Sequence, residues 1–300
     1  MKQIVLLMIF IVCHGQISIQ DLGQFGGSGS AAGLFKNPSG MDISEDNRLF
    51  ICDRGNHRVQ VFDLRGNFIK NLGGFGWKNE QFDEPMDIWA RSTINIFIAD
   101  YNNGRVQRYD RNLNYINSLV SNDADDESYQ FKEILSVAYS PQGDLFILDA
   151  GDNKVIKFNA KSKGEIAFGY YVSGKGELTS PVQIDLTVNH QVLVSDAVQN
   201  SIFIYDYFGN FLHRITDIRI KQAAGLAVDD RNRIYLADGE GGAIYIFTLA
   251  GKLLGKFDRI GAQLLKKPQD IALYRNKPDD YVIYIIDGDF IKIASLKVVQ

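Results

Sequence analysis

Cysteine and proline are scarce in this chain of 300 residues, which contains 2 cysteines and 6 prolines. Cys13 lies in an apolar N-terminal segment, and its removal with that segment would leave Cys52 alone and exclude an internal disulfide. Cys52 stands inside the apolar stretch LFIC, which predicts a small buried side chain rather than a reactive thiol. Burial of apolar side chains must therefore hold the fold together, and a chain of this length can supply it.

An excess of positive charge is also lacking. The chain has 32 Lys and Arg against 36 Asp and Glu, a net charge of −4 and an isoelectric point near 5.6. Proteins that bind nucleic acid usually carry a basic surface, so this balance predicts that nucleic acid is not a partner. A content of 45% hydrophobic residues excludes a disordered chain and predicts a globular one.

Long hydrophobic runs are absent except for Ile4–Cys13 in the opening MKQIVLLMIFIVCHG. This run is too short to cross a hydrocarbon layer of about 30 Å as a helix. With Lys2 before it and Gly15 after it, it predicts a signal peptide over residues 1–15. Lipidation of Cys13 is disfavoured because Val12 is not a small residue, and an uncleaved start is the remaining alternative. We therefore expect one domain over residues 16–300, secreted or periplasmic, monomeric and without a membrane span.

An aspartate that closes an apolar run recurs along the chain at spacings of 47, 49, 47, 42 and 49 residues. The six runs are LFICD, IFIAD, LFILD, VLVSD, IYLAD and IYIID, ending at Asp53, Asp100, Asp149, Asp196, Asp238 and Asp287. A second apolar run follows each aspartate, a third short run precedes it, and most units close with a glycine-bearing turn and a fourth run. Four short strands per unit, rich in β-branched and aromatic residues, predict an antiparallel meander.

The runs that end at the aspartates are apolar at consecutive positions, which predicts strands buried on both faces. Six sheets that are each covered on both sides fit a radial β-propeller. The sixth unit stops at Gln300 before a fourth strand, whereas ISIQDLGQFGG near the N-terminus matches FIKNLGGFG of the first unit's fourth strand. We therefore predict an all-β, six-bladed propeller of four-stranded antiparallel blades, in which Ile17–Leu22 completes blade six.

The segment DRGNHRVQVFD, residues 53–63, resembles the signature of the NHL repeat, and NPSGMDIS, residues 37–44, is similar to the Pro-x-Gly entry to its innermost strand. The resemblance covers all six units but weakens along the chain: unit two keeps NNGRVQRYD, and units five and six are degenerate. It implies a six-bladed propeller. Such propellers serve as binding platforms, receptor ectodomains, RNA binders, lyases and lactonases, so the resemblance implies little about function.

Recurrence in every unit predicts a structural role for the six aspartates, as acceptors of backbone N–H groups in the turn that follows. Histidine gives no support for a zinc enzyme. His57, His190 and His213 fall in a second-to-third loop, a turn at the opposite end and an outer strand, so they cannot converge on one ion.

Asp42, Asp87 and Asp185 occupy similar motifs on the innermost strands, where three other units carry alanine. Carboxylates that line the axis must be hydrated, hydrogen-bonded or bound to a cation. Two alternatives stay open: hydrogen bonds to the next blade's backbone, or a Ca²⁺ ion held by these three oxygen donors in the channel. No other cofactor is expected.

Ligand contacts are expected from loops on the face that holds the fourth-to-first connections. We assign ligand binding there to Trp77, Tyr170 and Tyr171, and to Arg54 and Tyr101 directly after two of the repeated aspartates. Phe75 is expected to plug between blades, whereas Trp77 is expected to be exposed.

The sequence contains no Ser/His/Asp set, phosphate-binding glycine loop or metal-ligand cluster. The predicted function is therefore that of a non-catalytic binding or scaffold propeller for a protein, peptide or carbohydrate ligand. The alternative is a divalent-cation-dependent hydrolase or lyase that resembles lactonase-type propellers and has its site at the axial channel.

Overall fold

A computed structural model describes residues 17–121 and 126–298 of the chain. The predicted signal peptide lies outside the described residues. Within them, no helix has the length and apolar character needed to cross a membrane.

Strands form almost all of the regular structure. The described residues begin with β1 (Ile17–Gly26), and the first five blades follow in order. Blades 1 and 2 comprise β2 (Met41–Ile43), β3 (Arg48–Asp53), β4 (Arg58–Asp63), β5 (Phe68–Leu72), β6 (Pro85–Trp89), β7 (Ile96–Asp100), β8 (Arg105–Tyr109) and β9 (Tyr115–Val120). Blades 3 and 4 comprise β10 (Ile134–Tyr139), β11 (Leu145–Asp149), β12 (Lys154–Phe158), β13 (Gly164–Phe168), β14 (Pro181–Leu186), β15 (Val192–Asp196), β16 (Ser201–Tyr205) and β17 (Phe211–Thr216).

The last two blades are separated by a short hairpin that the sequence pattern did not predict. Blade 5 comprises β18 (Ala223–Val228), β19 (Ile234–Asp238), β20 (Ala243–Phe247) and β21 (Leu253–Phe257), and the hairpin is β22 (Arg259–Ile260) with β23 (Gln263–Leu264). Blade 6 comprises β24 (Pro268–Lys277), β25 (Asp280–Asp287), β26 (Phe290–Val298) and β1. Within the described residues, 3₁₀ turns lie at Arg54–Asn56, Glu127–Tyr129 and Tyr171–Gly176.

Each blade is one four-stranded antiparallel sheet, and the first strands of neighbouring blades contact one another around the axis. Blade 6 closes the ring as predicted, because β1 pairs with β26 and Ile19 lies opposite Leu296. A bulge between Asp21 and Gly23 extends this pairing to Gly26, beyond the predicted end at Leu22. The six-bladed all-β fold and its closure by the N-terminal strand are confirmed.

The core consists of six apolar layers, one between each pair of adjacent blades. The second strands of blades 2 to 5 are buried at every position, and so are the last five residues of β3. This confirms the expectation drawn from their consecutive apolar residues. Cys52, in β3, is fully buried, and burial raises the pKa of its thiol well above the ordinary value.

The ring has two faces, which differ in the loops that they carry. The upper face holds the second-to-third loops, 54–57, 101–104, 150–153, 197–200, 239–242 and 288–289, and the fourth-to-first connections, 27–40, 73–84, 126–133, 169–180, 217–222 and 258–267. The lower face holds the first-to-second loops, 44–47, 90–95, 140–144, 187–191, 229–233 and 278–279, and the third-to-fourth turns, 64–67, 110–114, 159–163, 206–210 and 248–252.

Candidate docking face and axial channel

The repeated aspartates hold the upper-face connections in place. Each of the six carboxylates accepts at least one backbone N–H from the connection that leads into its own blade, for example Lys36 to Asp53 and Asp83 to Asp100, both at 2.8 Å. The structural role predicted for these residues is therefore seen, but their main partners come from the preceding connection. The following turn also donates in blades 3, 4 and 5, to Asp149, Asp196 and Asp238.

The connection 73–84, which carries two exposed aromatic residues, is held by a buried arginine. Arg105 pairs with Asp100 at 2.7 Å and donates further hydrogen bonds, each of 2.8 Å, to the backbone oxygens of Trp77, Lys78 and Gln81. Only 8% of Arg105 is exposed. Because charge-assisted hydrogen bonds in a buried setting resist rearrangement, this loop holds one conformation without a ligand.

Three aromatic side chains project from the upper face. Phe75, Trp77 and Tyr171 are 67%, 75% and 83% exposed, while Tyr170 is half-buried. The exposure of Trp77 agrees with the sequence-based expectation, and that of Phe75 does not. Phe75 does not pack between blades because Phe82 of the same connection fills that layer. The ring of Phe75 instead forms a T-shaped contact with that of His57, with 4.9 Å between the two ring centres.

Arg54 and Tyr101 lie on the upper face and bond to the next blade. Arg54 forms an ion pair of 2.7 Å with Glu84, and the Tyr101 hydroxyl donates to Glu133 at 3.0 Å. Burial and the hydrogen bond to Glu133 raise the pKa of Tyr101. The positions equivalent to Arg54 and Tyr101 in the other blades carry only small residues, Ala150, Ala197, Gly239 and Gly288. Long polar side chains therefore occupy this position of the loop in blades 1 and 2, on one side of the ring.

The axial side chains lie on two levels, which strand pairing defines. The upper level holds the residues opposite the position before each repeated aspartate, namely Gly40, Asp87, Ser136, Gln183, Gly225 and Asp270. The lower level lies two residues further along each strand and holds Asp42, Trp89, Ala138, Asp185, Ala227 and Ala272. The structure thus places Asp42 and Asp185 on one level and Asp87 on the other, so it does not bring the three predicted calcium ligands together.

The spacing from the repeated aspartate explains why matching the motifs grouped Asp87 with Asp42 and Asp185. Asp42 and Asp185 each precede the repeated aspartate of their blade by 11 residues, whereas Asp87 precedes Asp100 by 13. The hairpin has the same length in both blades, because Gly40 and Asp87 each precede the repeated aspartate by 13 residues, so the MDI motif is shifted by two residues along the first strand of blade 2. Counting back from the repeated aspartate, rather than matching the motif, would have separated Asp87 from Asp42 and Asp185.

The upper-level side chains other than glycine form hydrogen bonds with the backbone of the next blade. Asp87, Ser136, Gln183 and Asp270 accept the backbone N–H groups of Val137, Ile184, Leu226 and Met41, respectively, at 3.2, 3.1, 2.6 and 2.7 Å. Ser136 also donates its hydroxyl to Asp87 at 2.5 Å. These bonds match the alternative in which axial carboxylates bond the next blade's backbone.

The two remaining upper-level positions are glycines, and in each case the next blade around the ring carries an aspartate at this level. A Cβ at Gly40 would lie 2.6 Å from Asp87 Oδ1, and a Cβ at Gly225 would lie 2.6 Å from Asp270 Oδ1. These two oxygens accept the backbone N–H of the residue directly after each aspartate. Gly40 and Gly225 have no side chain that could accept a backbone N–H of the next blade. Asp87 and Asp270 therefore each accept two backbone N–H groups, one from the next residue of their own blade and one from the blade that follows.

Burial sets the charge of these two carboxylates. It raises the pKa of Asp87 to about 7, against the hydrogen bonds from Ser136 and Val137, which lower it. Burial, and then the charge of Asp87, raise the pKa of Asp270 well above its usual range. Near neutral pH the upper level therefore carries less negative charge than two solvated aspartates would, which weakens the electrostatic case for a cation there.

Arg91 occupies the lower level. Its Nε lies 2.8 Å from Asp42 and its Nη1 lies 2.8 Å from Asp185, so that one guanidinium joins blade 1 to the opposite blade 4. Burial raises the pKa of Asp185, and the charge of Arg91 counteracts that effect. The positive charge beside Asp42 and Asp185 is thus supplied by a side chain of the protein, whereas Ca²⁺ was one of the two alternatives that the sequence left open.

Histidines are dispersed, as predicted. His57 Nδ1 accepts the backbone N–H of Glu84 at 3.1 Å, His213 Nε2 lies 2.9 Å from the oxygen of Leu249, and His190 lies on the lower face beside Gln142. Over residues 17–121 and 126–298, no group of three or more His, Cys, Asp or Glu side chains is placed to hold a metal ion.

Comparison with known sequences identifies a repeat family. The sequence model of the NHL repeat matches residues 35–62, which cover the end of the connection into blade 1 and its strands β2, β3 and all but the last residue of β4. Similar curated proteins are Protein brain tumor of Drosophila melanogaster (36% identical over 62 residues), Protein lin-41 of Caenorhabditis elegans (44% over 45 residues) and E3 ubiquitin-protein ligase TRIM32 of Mus musculus (35% over 51 residues). These matches cover 21%, 15% and 17% of this chain and only 6%, 4% and 8% of those proteins.

Comparison with solved structures shows the same architecture. A protein of unknown function from Bacteroides thetaiotaomicron superposes with a TM-score of 0.69 at 14% identity, over 94% of this chain and 76% of the other. A streptogramin B lyase superposes with a TM-score of 0.62 at 12% identity, over 94% and 98% of the two chains. At such identities the likeness concerns the fold alone. The repeat match and the six-bladed fold together confirm the resemblance to NHL-repeat propellers.

Proposed function

We propose that this NHL-repeat propeller is a secreted or periplasmic, non-catalytic binding protein whose upper face docks a protein or peptide. The observation that carries the proposal is the exposure of Phe75, Trp77 and Tyr171 on that face. Large aromatic side chains contribute most where protein surfaces associate, because they bury much apolar area for few rotatable bonds.

The loop that carries Phe75 and Trp77 supports this proposal. Its contacts with Arg105 and Asp100 fix its backbone before any ligand arrives, so that association costs little loop ordering. The adjacent Arg54–Glu84 pair offers charge at the rim of the same surface. Aromatic residues beside a polar rim suit a peptide chain; a carbohydrate that stacks on Trp77 is the alternative ligand.

The secreted or periplasmic location rests on the predicted signal peptide alone. It is tested by expressing the full chain with a C-terminal tag and determining the N-terminal residue of the exported product. A product that starts near residue 16 supports the location, and an intracellular product that retains residues 1–15 contradicts it.

The docking proposal is tested with a peptide display library and a glycan array probed in parallel. Bound peptides are then measured against the Trp77→Ser and Tyr171→Ser variants. We expect affinity to fall about tenfold or more in at least one variant, since interface aromatics are frequent hot spots. The matched control is Phe208→Ser, which removes an aromatic residue that is 66% exposed on the lower face.

Two outcomes contradict the docking proposal. One is that peptides bind equally well to all three variants, and the other is that Phe208→Ser alone reduces binding. Selective binding to glycans that depends on Trp77 replaces the peptide by a carbohydrate ligand.

A further inference from the structure

One position of the third strands is apolar in four blades and cationic in two. Strand pairing aligns Val61, Ile204, Ile246 and Ile293, all of them buried, with Arg108 in blade 2 and Lys157 in blade 3. Lys157 is neutralised, because its Nζ lies 3.1 Å from both Asp144 and Glu165.

Arg108 has no such partner. Its Nε and Nη2 donate to the side-chain oxygen of Asn95 at 2.9 and 2.7 Å, and within the described residues no carboxylate forms an ion pair with it. The guanidinium lies 5.9 Å from the ring centre of Phe97. Arg108 is half-buried, and a partly desolvated cation with a neutral partner is stabilised when an anion joins it.

Arg108 lines a cleft of about 320 Å³ between blades 2 and 3 towards the lower face. The apolar walls include Phe97, Tyr139 and Phe158, and Lys161 supplies a second cation. No Asp or Glu is among the lining residues, and the nearby Glu165 is engaged by Lys157 and Asn159. The size lies within the range of small-molecule pockets.

We propose that this cleft is a binding site for a small organic carboxylate with an apolar body. The planar guanidinium of Arg108 matches a carboxylate in geometry and charge, and Asn95 fixes its orientation. The apolar body of the ligand lies against Phe97, Tyr139 and Phe158. The site is on the opposite side of the ring from the docking surface proposed above and does not depend on it.

The chain contains its own reporter. It has two tryptophans: Trp89, whose ring centre is 5.3 Å from that of Tyr139 and 6.3 Å from that of Phe97, and Trp77 on the upper face. In a titration followed by NMR, the indole N–H signal of Trp89 is expected to shift with benzoate, while that of Trp77 stays constant. We expect saturation with a Kd of about 1 mM or lower.

Related compounds separate the two parts of the ligand. Benzamide lacks the charge and acetate lacks the apolar body, and each is expected to bind about tenfold more weakly than benzoate. Hexanoate tests whether an aliphatic body suffices. Acetate or inorganic phosphate binding as tightly as benzoate overturns the proposal, and so does a Trp89 signal that does not move at about 10 mM benzoate.

Variants locate the site. Arg108→Met is expected to weaken benzoate binding about tenfold or more, and Lys161→Met several-fold, whereas the exposed Arg65→Met on the same face makes no difference. If Arg108→Met does not fold, Arg108→Lys decides, since it keeps the charge but loses the planar fork and should still weaken binding about fivefold. Unchanged affinity in the folded Arg108 variant overturns the proposal.

Discussion

At the scale of single residues, the buried ion pair between Asp100 and Arg105 should be costly to break. Asp100→Ala leaves a buried guanidinium without its carboxylate, and we expect the free energy of unfolding to fall by about 3–5 kcal/mol. Asp63→Ala is the matched control, because Asp63 only caps its own exposed turn and should cost about 1 kcal/mol. Urea unfolding measures both; equal losses would contradict the role assigned to the repeated aspartate.

The glycine at the start of the axial ring is a second residue with a specific role. A methyl group on Gly40 would lie 2.6 Å from both the Asp87 carboxylate and the oxygen of Met86, so Gly40→Ala should destabilise the fold by about 1–3 kcal/mol. Gly74 has no heavy atom within 4 Å of such a methyl group, and Gly74→Ala should be close to neutral. Thermal melting of the two variants makes the comparison, and similar melting temperatures would refute the close approach.

Asp87 gives the fold a defined pH dependence. The unfolded chain ionises this carboxyl near 3.8, whereas the folded chain retains the proton up to about pH 7. Between these values the folded state binds more protons, so the free energy of unfolding falls as pH rises, by at most about 1.4 kcal/mol per pH unit, and levels off above pH 7.

The Asp87→Asn variant isolates this contribution. Its unfolding free energy should decline less between about pH 4 and pH 7 than that of the unchanged protein, as measured by urea unfolding across that interval. Parallel curves for the two proteins would show that Asp87 does not titrate in this range.

Residue roles were readable from the sequence only where they repeat. The aspartate at the end of each second strand recurs six times, and its structural role followed from that recurrence. Arg91 and Arg108 each occur once, and their positions depend on loop length and blade geometry. Asp87 was misplaced because its motif resembles that of Asp42, although the backbone sets it on another level.

At the scale of strands, β1 should stabilise the ring through one of its faces. Ile19 packs against the layer between blades 5 and 6, whereas Gln20 is exposed. Ile19→Thr should lower the free energy of unfolding by about 1–3 kcal/mol, and Gln20→Thr should change it by less than about 0.5 kcal/mol. Chemical denaturation of both variants tests this alternation, and a larger loss for Gln20→Thr would require another register.

Strand identities could be predicted because short apolar runs rich in β-branched and aromatic residues, separated by turn residues, occur in every blade. The hairpin of β22 and β23 could not, since each strand is only two residues long and its pairing depends on neighbouring blade surfaces. The third-to-fourth and second-to-third turns were visible in sequence through their Asn, Asp and Gly residues.

At the scale of the whole molecule, β1 completes blade 6 as its outer strand and covers β26, most of whose residues are buried. The protein should therefore sediment as a monomer, whereas deletion of residues 17–26 exposes the edge of β26 and should produce dimers or larger species. Analytical ultracentrifugation at several concentrations distinguishes the two. A dimer of the undeleted protein, or a monomeric deletion variant, would contradict this account of the closure.

The pairing of Ile17 with Val298 has a consequence for orientation. Both ends of the described chain emerge side by side on the lower face, at the outer rim of blade 6. Anything joined to either end, whether a tether, a tag or a neighbouring module, attaches at the lower face. Phe75, Trp77 and Tyr171 would then lie on the face opposite the attachment point and stay accessible to a ligand.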